Sequence, residues 1–206
     1  MNTTAPAAKT KASLRIHYIV KIAVLTAIAA VIMLFEFPLP FAPGFYKLDL
    51  SETVILMGGF AMGPVAAVLM ELLKNLINIL LNGTSTAYIG ELANFVIGCA
   101  LVVPASLIYK YHKSIKGAIV SLVVGIVTLA VAGALMNYFV LIPAFSKFYG
   151  LTIENIVGAG SAVNPLVSDL KTLVVFAVAP FNMVKGILCG ALNLLLYKRL
   201  SKVLHI

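Results

Sequence analysis

The chain has 206 residues, 62% of them hydrophobic and 11% charged, with a net charge of +8. Soluble domains are nearer half apolar and a quarter charged, so this composition excludes a water-soluble globular protein and predicts an all-α integral membrane protein. Almost no length is left for a soluble catalytic or nucleic-acid-binding domain, and with no G-x-x-x-x-G-K-[ST] run the chain has no ATP-binding P-loop of its own.

In chain order, the polar opening "MNTTAPAAKTKASLR" precedes an apolar run without a small-residue cleavage site. Residues 1–15 are therefore expected to be a cytoplasmic tail and not a signal peptide. A helix needs about 20 apolar residues to cross a bilayer. Six candidate spans follow, at 16–36, 51–63, 64–82, 86–109, 117–142 and 169–198, all within one membrane domain covering 1–206. The second is short and is parted from the third only by the turn signal Gly63-Pro64. A span of that length crosses incompletely or sits where the bilayer thins. Cys99 and Cys189 fall within spans and read as small apolar packing residues, not as a disulfide.

Positive charge gathers before span one (Lys9, Lys11, Arg15, Lys21), between spans four and five (Lys110, Lys113, Lys116) and after span six (Lys198, Arg199, Lys202). Six crossings bring all three clusters to one side, which the positive-inside rule makes cytoplasmic. Both termini are then inside, in a multi-pass plasma-membrane protein. Outside lie "FPLPFAPGFYKLDL", "NGTST" and residues 143–168. The first and last of these outer loops are long, as binding loops and lids often are.

Ionisable residues inside spans are functional candidates. Span three carries Glu71, Lys74, Asn75 and Asn78 at helical spacing. Glu71 and Lys74 can neutralise each other, either as an internal ion pair with interhelical amide bonds or as part of a transport route. Glu36 ends span one, and Glu91 and Asn94 stand one turn apart in "STAYIGELANF". Both glutamates are expected to cap or dock loops. On span six, Asn182, Lys185, Cys189 and Asn193 share a face, and Pro180 ahead of them removes a backbone hydrogen bond and predicts a kink.

An ammonium as deep as Lys185 either snorkels to an interface or needs a partner, which a bound ligand is expected to supply. Asn137 in "MNYFVLIPAF" is the matching amide on span five. Two amides and an ammonium suit a planar heterocycle bearing carbonyl and ring N–H groups. Phe45, Tyr46, Tyr88, Phe139 and Phe181 offer rings for its faces. No catalytic constellation accompanies them. His17, His112 and His205 lie near cytoplasmic ends, and neither H-E-x-x-H nor G-x-S-x-G occurs. Binding without catalysis, metal or cofactor is the expectation.

The segments "EFPLPFAPGFYKLDLSE", "GGFAMGPVAAVLMELLKN", "STAYIGELANF", "MNYFVLIPAF" and "PFNMVKG" occur in the order and spacing of a known family. Over essentially its whole length the chain resembles the substrate-binding S components of energy-coupling factor (ECF) vitamin transporters, and among them the riboflavin-specific members. The resemblance implies six helices and tight vitamin binding near the outer face, beneath the first outer loop. It implies that Asn137, Asn182 and Lys185 hold the flavin ring, with Phe45, Tyr46 and Leu48 as lid contacts. It also implies docking of an Ala-x-x-x-Ala face, here Ala23 and Ala27 continued by Ala30, onto a membrane-embedded T component that carries two ATP-binding subunits. Small side chains suit that task because they let helices approach closely in lipid. The resemblance assigns no site to the last outer loop. An S component for a thiamine- or pyridoxine-type vitamin and a stand-alone ion-coupled carrier are the alternatives. The second conflicts with the chain's small size and the lack of an internal repeat.

Overall fold

A computed structural model describes residues 11–84 and 86–204, with side chains from 15 to 196. Residues 1–10 of the expected tail, and the side chains of Lys9, Lys11, Lys198, Arg199, Lys202 and His205, lie outside the described residues. The described chain is almost wholly helical. It runs α1 (Lys11–Met33), β1 (Phe37–Pro38), β2 (Lys47–Leu48), α2 (Glu52–Met62), α3 (Pro64–Asn82), α4 (Ile89–Tyr111), α5 (Ile115–Met136), α6 (Ile142–Tyr149), α7 (Ile153–Ser161), α8 (Leu170–Leu173) and α9 (Ala179–Leu204). The two short strands pair antiparallel and fold the first long loop back across one end of the bundle.

Among the described residues, five helical stretches are long and apolar enough to cross a membrane: Arg15–Met33, Pro64–Asn82, Ile89–Tyr111, Ile115–Tyr149 and Leu170–Leu196. The sixth expected span is α2, with 11 residues, about 16 Å of helix at 1.5 Å per residue. Nine of those residues are buried, because α2 packs against α1, α3, α4 and α9 at once. It is the hub of the bundle. Gly63, at φ 96°, breaks the chain between α2 and α3, and Pro64 starts α3 where a missing N–H costs nothing.

The fifth span is longer than its expected 117–142. The helix continues from α5 through a π turn at Asn137–Leu141 into α6. A second π turn, Val174–Val178, links α8 to α9. Each π turn ends two residues before a proline, Pro143 or Pro180. The wider turn displaces the carbonyl that the proline ring would strike in a regular helix. The disturbance expected at Pro180 thus takes this form. The stretch 143–168, expected as a long outer loop, is not an open loop. Helix α7 packs Ile156 and Val157 against Val167, Leu173 and Ala177 in a separate apolar cluster.

Candidate ligand-binding site

A cavity of about 610 Å³ opens at the end of the bundle covered by the β1–β2 loop, walled by α3, α4, the α5–α6 helix, α7 and α9. That volume suits a drug-sized ligand. One part of the wall is formed by Tyr46, Asn137, Phe181, Asn182, Lys185 and Asp49. The lining from α3, α4 and the turn between them is rich in amides and hydroxyls: Asn78, Asn82, Asn94 and Thr86, with Glu91.

The three central candidates come together. The Asn137 side-chain amide donates to Gly133 O at 2.8 Å, and Asn182 donates to Val178 O at 2.9 Å. A Cβ on Gly133 would lie 2.5 Å from Asn182 Nδ2, so only glycine lets the α5 backbone come this close to the α9 amide. Tyr46 reaches over from the loop and donates its hydroxyl to Asn137 Oδ1 at 2.6 Å. Burial pushes the Tyr46 phenol well above its ordinary pKa, which keeps it a neutral donor. Its ring lies 4.6 Å from Phe45 and 5.7 Å from Phe181.

Lys185 does not wait for a ligand to neutralise it, which corrects the expectation from sequence. Its Nζ lies 3.0 Å from Asp49 Oδ2 and 3.1 Å from Glu52 Oε1. Burial alone would raise the Asp49 carboxyl. The ammoniums of Lys185 and Lys74 and the Ser51 hydroxyl outweigh it and hold Asp49 well below the usual carboxylate range. Ser51 fastens the turn: its N–H donates to Asp49 Oδ1 at 2.9 Å, and its hydroxyl contacts Asp49 Oδ1 and Glu52 Oε2. An ammonium has three N–H donors. One donates to Asp49 Oδ2 at 3.0 Å, Glu52 Oε1 stands at ion-pair distance, and the lysine borders the cavity.

Behind that wall the polar contacts continue. Lys74 lies 3.3 Å from Glu52 Oε1, 2.7 Å from Glu71 Oε1 and 3.2 Å from Ser51 Oγ. Asn75 donates to Glu71 Oε1 at 3.2 Å, and Asn94 donates to Asn75 Oδ1 at 3.1 Å. The Glu71–Lys74 pair with amide cross-links is therefore present, and neither charge borders the cavity. Glu36 docks the loop through Lys47 at 2.6 Å, and Glu91 accepts from Thr86 at 2.6 Å, as loop-holding roles require.

Other expectations need correcting. Leu48 is wholly buried, packed with Ala42 and Phe181 beneath the loop, and does not line the cavity. Phe139 and Tyr88 are 66% and 60% exposed and lie off the cavity wall, whereas Phe145 and Tyr149 line it. Cys189 is buried in the core, as a packing residue requires, and Asn193 is buried off the cavity wall. Leu151 and Ile156 line it, so the stretch 143–168, to which the resemblance assigns no site, contributes to the cavity. Ala23 and Ala27 are exposed on α1, but Ala30 is buried and does not continue their exposed face. Sequence reasoning missed Asp49 and Glu52. The chain has only seven acidic residues, and two deep lysines demanded some of them.

A family model described as "ECF transporter, substrate-specific component" matches residues 17–197. The riboflavin transporter RibU of Staphylococcus aureus (strain TCH60) is 33% identical over 90% of this chain and 91% of its own length. The riboflavin transporter FmnP of Bacillus subtilis (strain 168) is 30% identical over 91% of this chain and 94% of its own. A solved structure of the S component of a bacterial ECF transporter superposes with a TM-score of 0.71 at 31% identity, covering 93% of this chain and 99% of that one.

Proposed function

Because the chain belongs to the family of substrate-specific components of ECF transporters, we propose that it captures riboflavin at the outer face of the cell membrane for an importer whose ATP hydrolysis occurs in other subunits. The observation that carries this reading is the convergence of Lys185, Asn182 and Asn137 on one cavity wall beside Tyr46 and Phe181. The ammonium, bonded to Asp49 Oδ2, offers a remaining donor to a ring carbonyl or nitrogen. Asn182 spends one N–H on Val178 O and keeps its carbonyl and second N–H for the imide edge of the flavin. Tyr46 and Phe181 supply apolar faces for the ring. The first outer loop covers the ligand and is tied down through Asp49–Lys185 and Tyr46–Asn137. The mechanism is binding and release, with no bond made or broken.

In this reading the chain crosses six times, with α2 as the short second crossing and both termini cytoplasmic. The exposed Ala23 and Ala27 on α1 dock a membrane-embedded T component that carries two ATP-binding subunits. Replacing both alanines by Trp spares riboflavin binding and abolishes uptake in cells supplied with the whole transporter.

The deciding experiment is titration of the purified chain with riboflavin, followed by quenching of flavin fluorescence. Saturable quenching at one equivalent is expected, since stacking on Tyr46 and Phe181 quenches the ring. Binding of a thiamine- or pyridoxine-type vitamin instead of riboflavin would overturn the assignment.

A further inference from the structure

Five ionisable side chains meet at and behind the cavity wall, all of them buried: Asp49, Glu52, Glu71, Lys74 and Lys185. Three are carboxyls and two are ammoniums. Fully ionised, they would leave an uncompensated negative charge inside the bundle, and buried groups so placed take up a proton instead. The ion-pair distances divide the five unequally. Lys74 lies 2.7 Å from Glu71 Oε1, and Lys185 lies 3.0 Å from Asp49 Oδ2. Glu52 Oε1 stands between the ammoniums at longer distances, 3.3 Å and 3.1 Å, and this buried oxygen accepts a hydrogen bond from neither. Two lysines are thus matched with two carboxylates, and Glu52 is left over.

Ser51 shows where one more hydrogen is needed. Its Oγ is within hydrogen-bond distance of Asp49 Oδ1 and, at 2.7 Å, of Glu52 Oε2. A hydroxyl carries a single hydrogen, so it serves one of these oxygens and not both. Lys74 donates to the same Oγ at 3.2 Å, which leaves that oxygen one free lone pair. A hydrogen on Glu52 Oε2 completes the pattern: Glu52 donates to Ser51 Oγ, and Ser51 donates to Asp49 Oδ1. Asp49 is a poorer carrier, because it also accepts from Ser51 N–H and from Lys185. Glu71 is poorer too. It makes the shortest ion pair of the cluster, its Oε1 also accepts from Asn75, and its Oε2 has no partner to receive an O–H.

We propose that this cluster binds one proton, held on Glu52 Oε2 and donated to Ser51 Oγ. Glu52 is then a neutral positioning residue. Its Oε1 sits between the ammoniums of α3 and α9 and joins the two helices without claiming the charge of either. The cavity wall is backed by a cluster of no net charge, and nothing in this arrangement depends on which ligand fills the cavity.

Infrared spectroscopy of the purified chain at about pH 8, where exposed carboxyls are ionised, reads the proton directly. The wild type is expected to show the carbonyl band of an un-ionised carboxylic acid, and Glu52→Gln should remove it. Ser51→Ala takes away the acceptor of the O–H and should move the band. Thermal unfolding gives a second reading. Gln keeps a carbonyl for the lysines and an N–H for Ser51, so Glu52→Gln should melt close to the wild type, whereas Glu52→Leu should not. Glu71→Gln and Asp49→Asn each orphan an ammonium and should melt at least about 6 °C lower. A wild type without the band would overturn the proposal, as would a band that survives Glu52→Gln or ignores Ser51→Ala. A Glu52→Gln protein that fails to fold, or is destabilised as far as Glu71→Gln, would return the negative charge to Glu52 and overturn it equally.

Discussion

Lys74 on α3 and Lys185 on α9 both lean on Glu52, whose Oε1 lies 3.3 Å from the first ammonium and 3.1 Å from the second. The two differ in what surrounds the remaining donors. Lys74 has no exposed surface, lies within 3.3 Å of Glu52, Glu71 and Ser51, and does not border the cavity. Lys185 contacts two carboxylates, keeps 8% of its side chain exposed and borders the cavity. The same functional group is a strut where protein encloses it entirely and borders the cavity where it does not. Removing a charge from water costs several kcal/mol before any partner repays it. Both lysines are therefore held by carboxylates, and only the cavity beside Lys185 distinguishes their settings.

Breaking the strut should have the largest effect. Lys74→Met strips Glu71 and Glu52 of a counter-charge where no solvent reaches, and breaking such a buried pair costs about 3–5 kcal/mol. That is a large share of a stability of roughly 5–15 kcal/mol. The variant is expected to be lost from the folded fraction in size-exclusion chromatography and to melt early if recovered. A normally folded, normally binding K74M protein would erase the distinction between the two lysines.

Lys185→Met should reverse the pattern, with folded protein recovered and riboflavin affinity lowered about a hundredfold, the upper end for a lost charged hydrogen bond. Adding Asp49→Asn removes the carboxylate orphaned by the first change. The double variant should regain thermal stability without regaining affinity, a non-additive outcome expected of groups in contact. Recovered affinity would mean that Lys185 serves only to satisfy Asp49. Asn182→Ala comes next, with a loss of about 1–3 kcal/mol in binding by the same titration, because the amide packs on Gly133 and has no other group to take its place.

What was legible in the sequence follows the range over which each feature is decided. The Gly63-Pro64 break and the 64–82 helix are local, and they stand where expected. The Glu71–Lys74 pair needs only i,i+3 spacing. Asp49 and Lys185, by contrast, are separated by 136 positions, and no local period links a loop residue to the last helix. Phe139 could have been set aside from spacing alone. It stands two residues past the inward-facing Asn137, about 200° around a helix, and so faces outward. Ala30 fails similarly, since an i,i+4 face through Ala23 and Ala27 continues at Val31, which is 54% exposed. The contribution of Leu151 and Ile156 was hidden because it depends on α7 folding back over the cavity, a tertiary event. The π turns were half visible, in the two prolines that follow them.

The smallest effect should come from Tyr46→Phe, which separates the lid from the floor of the site. The substitution keeps the ring that faces Phe181 and deletes only the hydroxyl bonded to Asn137 Oδ1. Asn137 retains its bond to Gly133 O, so the floor amide stays in place and the loop alone loosens. A neutral hydrogen bond contributes about 0.5–1.5 kcal/mol net, which corresponds to a fall in affinity of roughly tenfold or less. Because the loop covers a ligand already bound, the change should appear as faster riboflavin release, with the association rate little altered. Stopped-flow fluorescence separates the two rates. A slower association with unchanged release would place the Tyr46 hydroxyl in the entry step and leave Lys185–Asp49 as the contact that holds the loop closed.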